Sequence, residues 1–185
     1  MGSPSLLLHV CCAPCSVACV ESLAQEGFSP TAFWYNPNIH PFTEYRNRME
    51  AMEAYARQIG MPLILHGKYG LRPFIQAVTP NIDSRCETCY RTRMEATARY
   101  AARNGFECFT STLLISPYQN HDLLCQVARE EGEKAGVHFL YRDFRPLFRQ
   151  GQTQARALGL YMQKYCGCIF SEEERYQKPS AGGKT

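Results

Sequence analysis

Leu6-Leu7-Leu8-His9-Val10-Cys11-Cys12-Ala13-Pro14-Cys15 is the stretch whose reading decides the fold. Residues 6–10 are short, continuous and apolar, the pattern of a buried strand. Pro14 suits a turn or the first position of a helix. Residues 16–26 then read as a helix closed by Gly27. A buried strand that turns straight into a helix opens an α/β fold. Two adjacent thiols stand where that strand ends.

The alternation continues outward. Residues 31–35 are rich in β-formers and are broken by Asn36-Pro37-Asn38. Beyond them Tyr45, Met49, Met52, Tyr55, Ala56 and Ile59 recur at three- and four-residue spacing, which predicts a helix over 42–59 ended by Gly60. Further strands are expected at 63–66, 108–113 and 138–141. Further helices are expected at 72–77, 89–104, 121–135 and 153–165. Parallel strands need such crossovers, so an α/β parallel sheet with helices on both faces is expected. A single domain over residues 1–177 and a flexible Gly/Lys/Ser-rich tail over 178–185 complete the expectation. In an open parallel sheet, ligands bind outside the carboxyl ends of the strands. Cys11, Cys12 and Cys15, residues 36–40 and residues 114–120 should therefore converge on one site.

The 185 residues are 45% apolar and 20% charged, enough to bury a core without disulfide staples. A net charge of +3 is compatible with an RNA substrate but does not argue for one. Residues 6–10 are too short for the apolar segment of a secretory signal, and no stretch approaches a membrane span. A cytoplasmic protein with no membrane partner is expected. In that setting thiols stay reduced, and clustered cysteines bind metal or do redox chemistry.

Of the ten cysteines, six fall into three tight groups. Cys11 and Cys12 form the first, with Cys15 one turn on and the N-terminus of a helix to lower a thiolate's pKa. Cys86-x-x-Cys89 starts a helix, and with Cys11 and Cys12 completes four thiolates. Four thiolates fit zinc or an iron–sulfur cluster by count, and adjacent ligands favour the cluster. In Cys166-Gly167-Cys168 one intervening residue makes a small, strained, labile disulfide ring, the mark of a redox-cycling pair, with two further ligands or free thiols as the bland reading. Cys19, Cys108 and Cys125 read as buried filler. His40 and His121 are the histidines whose loops should face the site; Asp122 and Asp143 are candidate acids or ligands. Asn36, Asn38, Tyr118, Gln119 and Asn120 place amides and an aromatic in strand-end loops, where such groups stack on a base and read its edge, or simply make turns. Arg142, Arg145, Arg149 and Arg156 form a loose basic stretch. No glycine-rich phosphate loop is present. The residues alone leave three readings: a metal-dependent reductase, a zinc-bound RNA-binding or regulatory module, and a metal-free thiol–disulfide sensor.

Five motifs, in order, resemble the cobalamin-independent epoxyqueuosine reductases: residues 9–15, residues 33–41, Arg85-Cys86-x-x-Cys89-Tyr90-x-x-Arg93, residues 111–120, and Tyr165-Cys166-Gly167-Cys168. The resemblance covers residues 6–171. It implies a Rossmann-like sheet similar to the adenine-nucleotide α-hydrolase fold, without that group's phosphate loop. It also implies reduction of epoxyqueuosine to queuosine at the wobble position of tRNA. Cys11, Cys12, Cys86 and Cys89 would hold a [4Fe-4S] cluster, and Cys166 and Cys168 would form a redox-active disulfide fed by an electron donor. An additional iron ion is a family feature, with Cys15 its candidate ligand here. Tyr118, His121 and Asp122 are the candidate proton sources.

Overall fold

β1 (Leu6–His9) is buried at every residue, as a short apolar strand covered on both faces must be. In the computed structural model, which describes residues 4–177, α1 (Ala13–Gln25) starts straight after Cys12. It begins three residues before the expected boundary because Pro14 sits in the first turn, where its missing N–H leaves no bond unmade. β2 (Thr31–Trp34), α2 (Phe42–Ile59), β3 (Leu63–Leu65) and α3 (Leu71–Val78) follow. A short 3₁₀ turn then leads into α4 (Arg85–Arg103), which takes both Cys86 and Cys89 into its first two turns.

β4 (Cys108–Ser111) is shorter than expected. The Ser111 hydroxyl accepts the Leu113 N–H at 3.1 Å and draws the chain into a 3₁₀ turn over Thr112–Ile115. α5 (His121–Ala135) and the two-residue edge strand β5 (His138–Phe139) complete the sheet. The helix expected at 153–165 lies instead at α6 (Phe148–Ala157), and residues 158–168 carry no regular structure. Only Gly151 and Ala155 of α6 are buried, so the helix has no apolar period to read. A last helix, α7 (Ile169–Tyr176), was not expected. The tail expected at 178–185 lies outside the described residues.

All five strands are parallel, in the order β3-β2-β1-β4-β5. Leu7 pairs with Thr31 on one side and Phe109 on the other, so β1 is central. The chain winds outward through β2 and β3, then recrosses to β4 and β5. Right-handed crossovers place α1 and α2 on one face and α4 and α5 on the other. The packing agrees: α1 lies against α2 and α6, and α4 against α5. This is the expected Rossmann-like α/β architecture. The main core surrounds β1, β2 and β4; a smaller one joins Phe74 and Val78 of α3, Cys89 of α4 and Cys168. No helix among the described residues is long and apolar enough to cross a membrane.

Candidate metal centre

The winding direction reverses between β1 and β4, and a crevice opens beyond their carboxyl ends. Cys11 and Cys12 occupy the turn from β1 to α1, and Cys15 the first turn of α1. Their three Sγ atoms lie within 4.8 Å of one another, all buried. All three thiols are free.

The surroundings treat the three sulfurs unequally. Thr112 Oγ1 donates to Cys11 Sγ at 3.3 Å while accepting the Cys11 N–H at 3.1 Å. Gln163 Nε2 donates to Cys12 Sγ at 3.0 Å and Cys15 Sγ at 3.4 Å. Hydrogen bonds from Cys12 and Cys15 hold the Cys11 thiol well below its ordinary pKa. Burial pushes Cys12 well up, and the bond to Cys11 does the same to Cys15. Soft sulfur donors, free and ringed by O–H and N–H groups that favour thiolates, fit a metal cluster.

Cys86 and Cys89 are not part of that trio. Cys89 is buried beside Cys168, and Cys86 is exposed. Burial pushes Cys89 up to about 12 and raises Cys86, with Cys166 and Cys168 adding to both. Arg93 is fully buried; its Nη2 donates to Cys89 Sγ at 2.9 Å and its Nε to Cys89 O at 3.1 Å. Burial would make this guanidinium easier to deprotonate, but the sulfurs of Cys89, Cys166 and Cys11 outweigh it. Arg93 is therefore a buried cation that feels both thiol groups.

Residues 165–168 are fastened from beneath. Arg48 donates from Nη1 to Cys166 O at 2.8 Å, from Nη2 to Tyr165 O at 2.9 Å, and from Nε to Glu44 at 2.6 Å. Tyr161 holds the other oxygen of Glu44 at 2.5 Å. His40 N donates to Gly167 O at 2.7 Å, and Tyr165 O–H donates to His40 O at 2.5 Å. Gly167 has φ +151, and a Cβ there would stand 3.2 Å from Ile39 and 3.4 Å from the Arg48 guanidinium. Gln119 Nε2 donates to Cys166 Sγ at 3.2 Å.

Cys11, Cys15 and Cys166 all open onto one cavity of about 690 Å³. Tyr118 also lines it; His121 and Asp122 do not. His121 Nε2 instead meets the Tyr141 hydroxyl at 3.1 Å, and Asp122 is exposed in the first turn of α5. His40 spends its backbone and ring nitrogen on residues 165–169. Asn36 Nδ2 donates to Val10 O at 2.9 Å, tying β2's loop to β1. Asp143 is paired with Arg145, which holds its carboxyl down to about 2. Cys19, Cys108 and Cys125 are buried, as expected. The basic stretch divides: Arg142 and Arg145 pair with Glu26 and Asp143, while Arg149 and Arg156 line the cavity.

Arg48, Arg93, Thr112 and Gln163 are not among the expected site residues, although Arg93 and Thr112 fall inside the motifs that carry the resemblance. Arg48 had a signal, since it falls on the apolar face of α2 between Tyr45 and Met52, where a charge needs a reason. Gln163 had none.

A model of the epoxyqueuosine reductase QueH family matches residues 6–174. The chain is 41% identical to the epoxyqueuosine reductase QueH of Dehalococcoides mccartyi over 97% of this chain and 98% of that one. It is 35% identical to that of Thermotoga maritima, over 94% and 93%. To that of Histophilus somni it is 33% identical, over 99% of this chain and 78% of the other.

Proposed function

Because the chain belongs to the epoxyqueuosine reductase QueH family and is an oxidoreductase, we propose that it reduces epoxyqueuosine to queuosine at the wobble position of tRNA with a metal centre and a cysteine pair. One observation supports this most: Cys11 and Cys15 of the buried thiol trio and Cys166 of the Cys166–Cys168 pair border the same cavity.

The chemistry balances on this chain's own residues. Converting the epoxide to an alkene breaks both C–O bonds, forms the C=C bond and releases water. It consumes two electrons and two protons. The Cys166–Cys168 dithiol supplies both of each and becomes a disulfide, which an external electron donor then reduces. The Arg48 and His40 bonds hold the two sulfurs' backbone in place through that cycle. Of the candidate proton relays, only Tyr118 borders the cavity.

Cys11, Cys12, Cys86 and Cys89 would hold a [4Fe-4S] cluster, and Cys15 an additional iron ion. When bound, the iron supplies one-electron transfer and a Lewis-acid position for the epoxide oxygen. Thr112 and Gln163 would steady the thiolates, and Arg93 would offset their charge. Such thiols stay reduced in cytoplasm.

The test is direct. Anaerobically purified protein is assayed for iron, sulfide and zinc, reduced, and given tRNA bearing epoxyqueuosine. Nucleoside mass spectrometry should find queuosine. Zinc in place of iron, with no queuosine, would replace this reading with the zinc-bound RNA-binding module.

A further inference from the structure

The cavity mouth carries charge of one sign. Arg149, Arg156, Lys164 and Arg175 line it, all exposed, and no Asp or Glu does. Ion pairs elsewhere among the described residues absorb Arg142 and Arg145, but none absorbs these four.

The cations are built in, not scattered. Arg149, Gln152, Thr153 and Arg156 recur at i, i+3, i+4 and i+7, so one face of α6 turns a polar stripe to the cavity. The opposite face is Gly151 and Ala155, packed against α1 so closely that a Cβ on Gly151 would stand 3.1 Å from Ala18 Cβ. That contact fixes two guanidinium-bearing positions about 10 Å apart along the helix axis. Beside them stands Tyr118, 85% exposed, edge-on to Phe148 at 5.9 Å between ring centroids. A large aromatic held upright in solvent, among cations that no carboxylate of the described residues pairs with, is the pairing that single-stranded nucleic acid requires: a flat face for a base and positive charge for the backbone. Single-stranded RNA loops present the unstacked bases that such a platform receives, and duplex RNA does not.

We propose that this rim grips the RNA loop flanking the modified nucleotide. A neighbouring base stacks on Tyr118, and the adjoining phosphates lie along the Arg149–Arg156 face of α6, with Lys164 and Arg175 across the mouth. That the loop is the one carrying the modified base, and that this base enters the cavity, rest on the function proposed above; the rim's fitness for single-stranded RNA does not.

The test uses a fluorescently labelled anticodon stem-loop without the modified base, so that binding is read without turnover. Anisotropy titrations are run at several salt concentrations on the full chain. The doubly substituted Arg149→Ala, Arg156→Ala protein should bind at least tenfold more weakly. Its slope of log K against log salt should be shallower by about 1.4, the value for two phosphate contacts on a single strand. Tyr118→Ala should weaken binding roughly five- to hundredfold, and Tyr118→Phe should restore it. The matched double substitution Arg142→Ala, Arg145→Ala removes the same charge elsewhere and should bind as wild type does. Equal losses in the two double variants would reduce the effect to bulk charge and overturn the proposal. So would unchanged binding by Arg149→Ala, Arg156→Ala, or an equal loss for Tyr118→Ala and Tyr118→Phe. Queuosine formation is scored separately. Wild-type protein that binds the stem-loop through these residues yet makes no queuosine would sink the proposed reaction alone; queuosine formation with binding indifferent to the variants would sink the surface alone.

Discussion

Replacing Arg48 with Met should damage stability and the cysteine pair by separable amounts. The guanidinium and Glu44 are buried, at 2% and 9% side-chain exposure, and meet at 2.6 Å. Removing one partner of a buried ion pair costs about 3–5 kcal/mol, because the other is left charged and dry. For a chain of this size that corresponds to a fall of roughly 6–20 °C in Tm. Two further donors are lost, to the carbonyls of Cys166 and Tyr165. Adding Glu44→Gln removes the stranded charge, so the double variant should recover part of the melting temperature. It does not restore the donors to residues 165 and 166. Thermal melts measure the first effect. The second is read as the rate at which Cys166 and Cys168 are alkylated under reducing, native conditions, which should rise in both variants and stay raised in the double. An unchanged melting temperature in Arg48→Met would refute the burial argument. Full recovery of alkylation protection in the double variant would refute the idea that Arg48 fastens the pair directly.

Other outcomes follow from the same geometry. Cys86→Ala should lose bound iron and turnover; full iron retention by metal analysis would remove Cys86 from the ligand set. Cys168→Ser should keep its iron but stop after a single turnover, and normal multiple turnover in a time course would end the redox-pair assignment. Burial holds His9 and His40 neutral, each lowered to about 4. Unfolded histidine binds its proton near pH 6.5, so the stability these groups confer is complete above that value. It drains away as pH falls toward 4, at up to about 1.4 kcal/mol per pH unit for each. Urea midpoints of the metal-free protein at pH 7.5, 5.5 and 4.5 should show that decline, and His40→Asn should make it shallower.

The alternating elements were legible because each carried a strong local signal. α2 and α5 have the bounds expected from their apolar period and their closing glycines, Gly60 and Gly136, which adopt left-handed backbone. α6 lies away from its expected place because small residues bury it, and Gly151 and Ala155 leave no hydrophobic rhythm. β4 ends two residues short of its expected bound because a single serine hydroxyl redirects its end. The thiol trio was legible because one turn of chain delivers all three sulfurs. The nearness of Cys89 to Cys168 was not, since it depends on how α3, α4 and α7 pack. Gln163 reaches its two sulfurs across 151 and 148 residues of sequence, and no local pattern announces such contacts.

That long reach bears on how the protein is made. During synthesis the ribosome releases Cys11, Cys12 and Cys15 well before the amide that steadies two of them and before the carboxyl-terminal loop that shares their cavity. A nascent chain therefore displays three bare thiols for much of translation. Residues 163–166 close over the crevice only late in synthesis, and a prematurely terminated product would offer its sulfurs to any oxidant in reach.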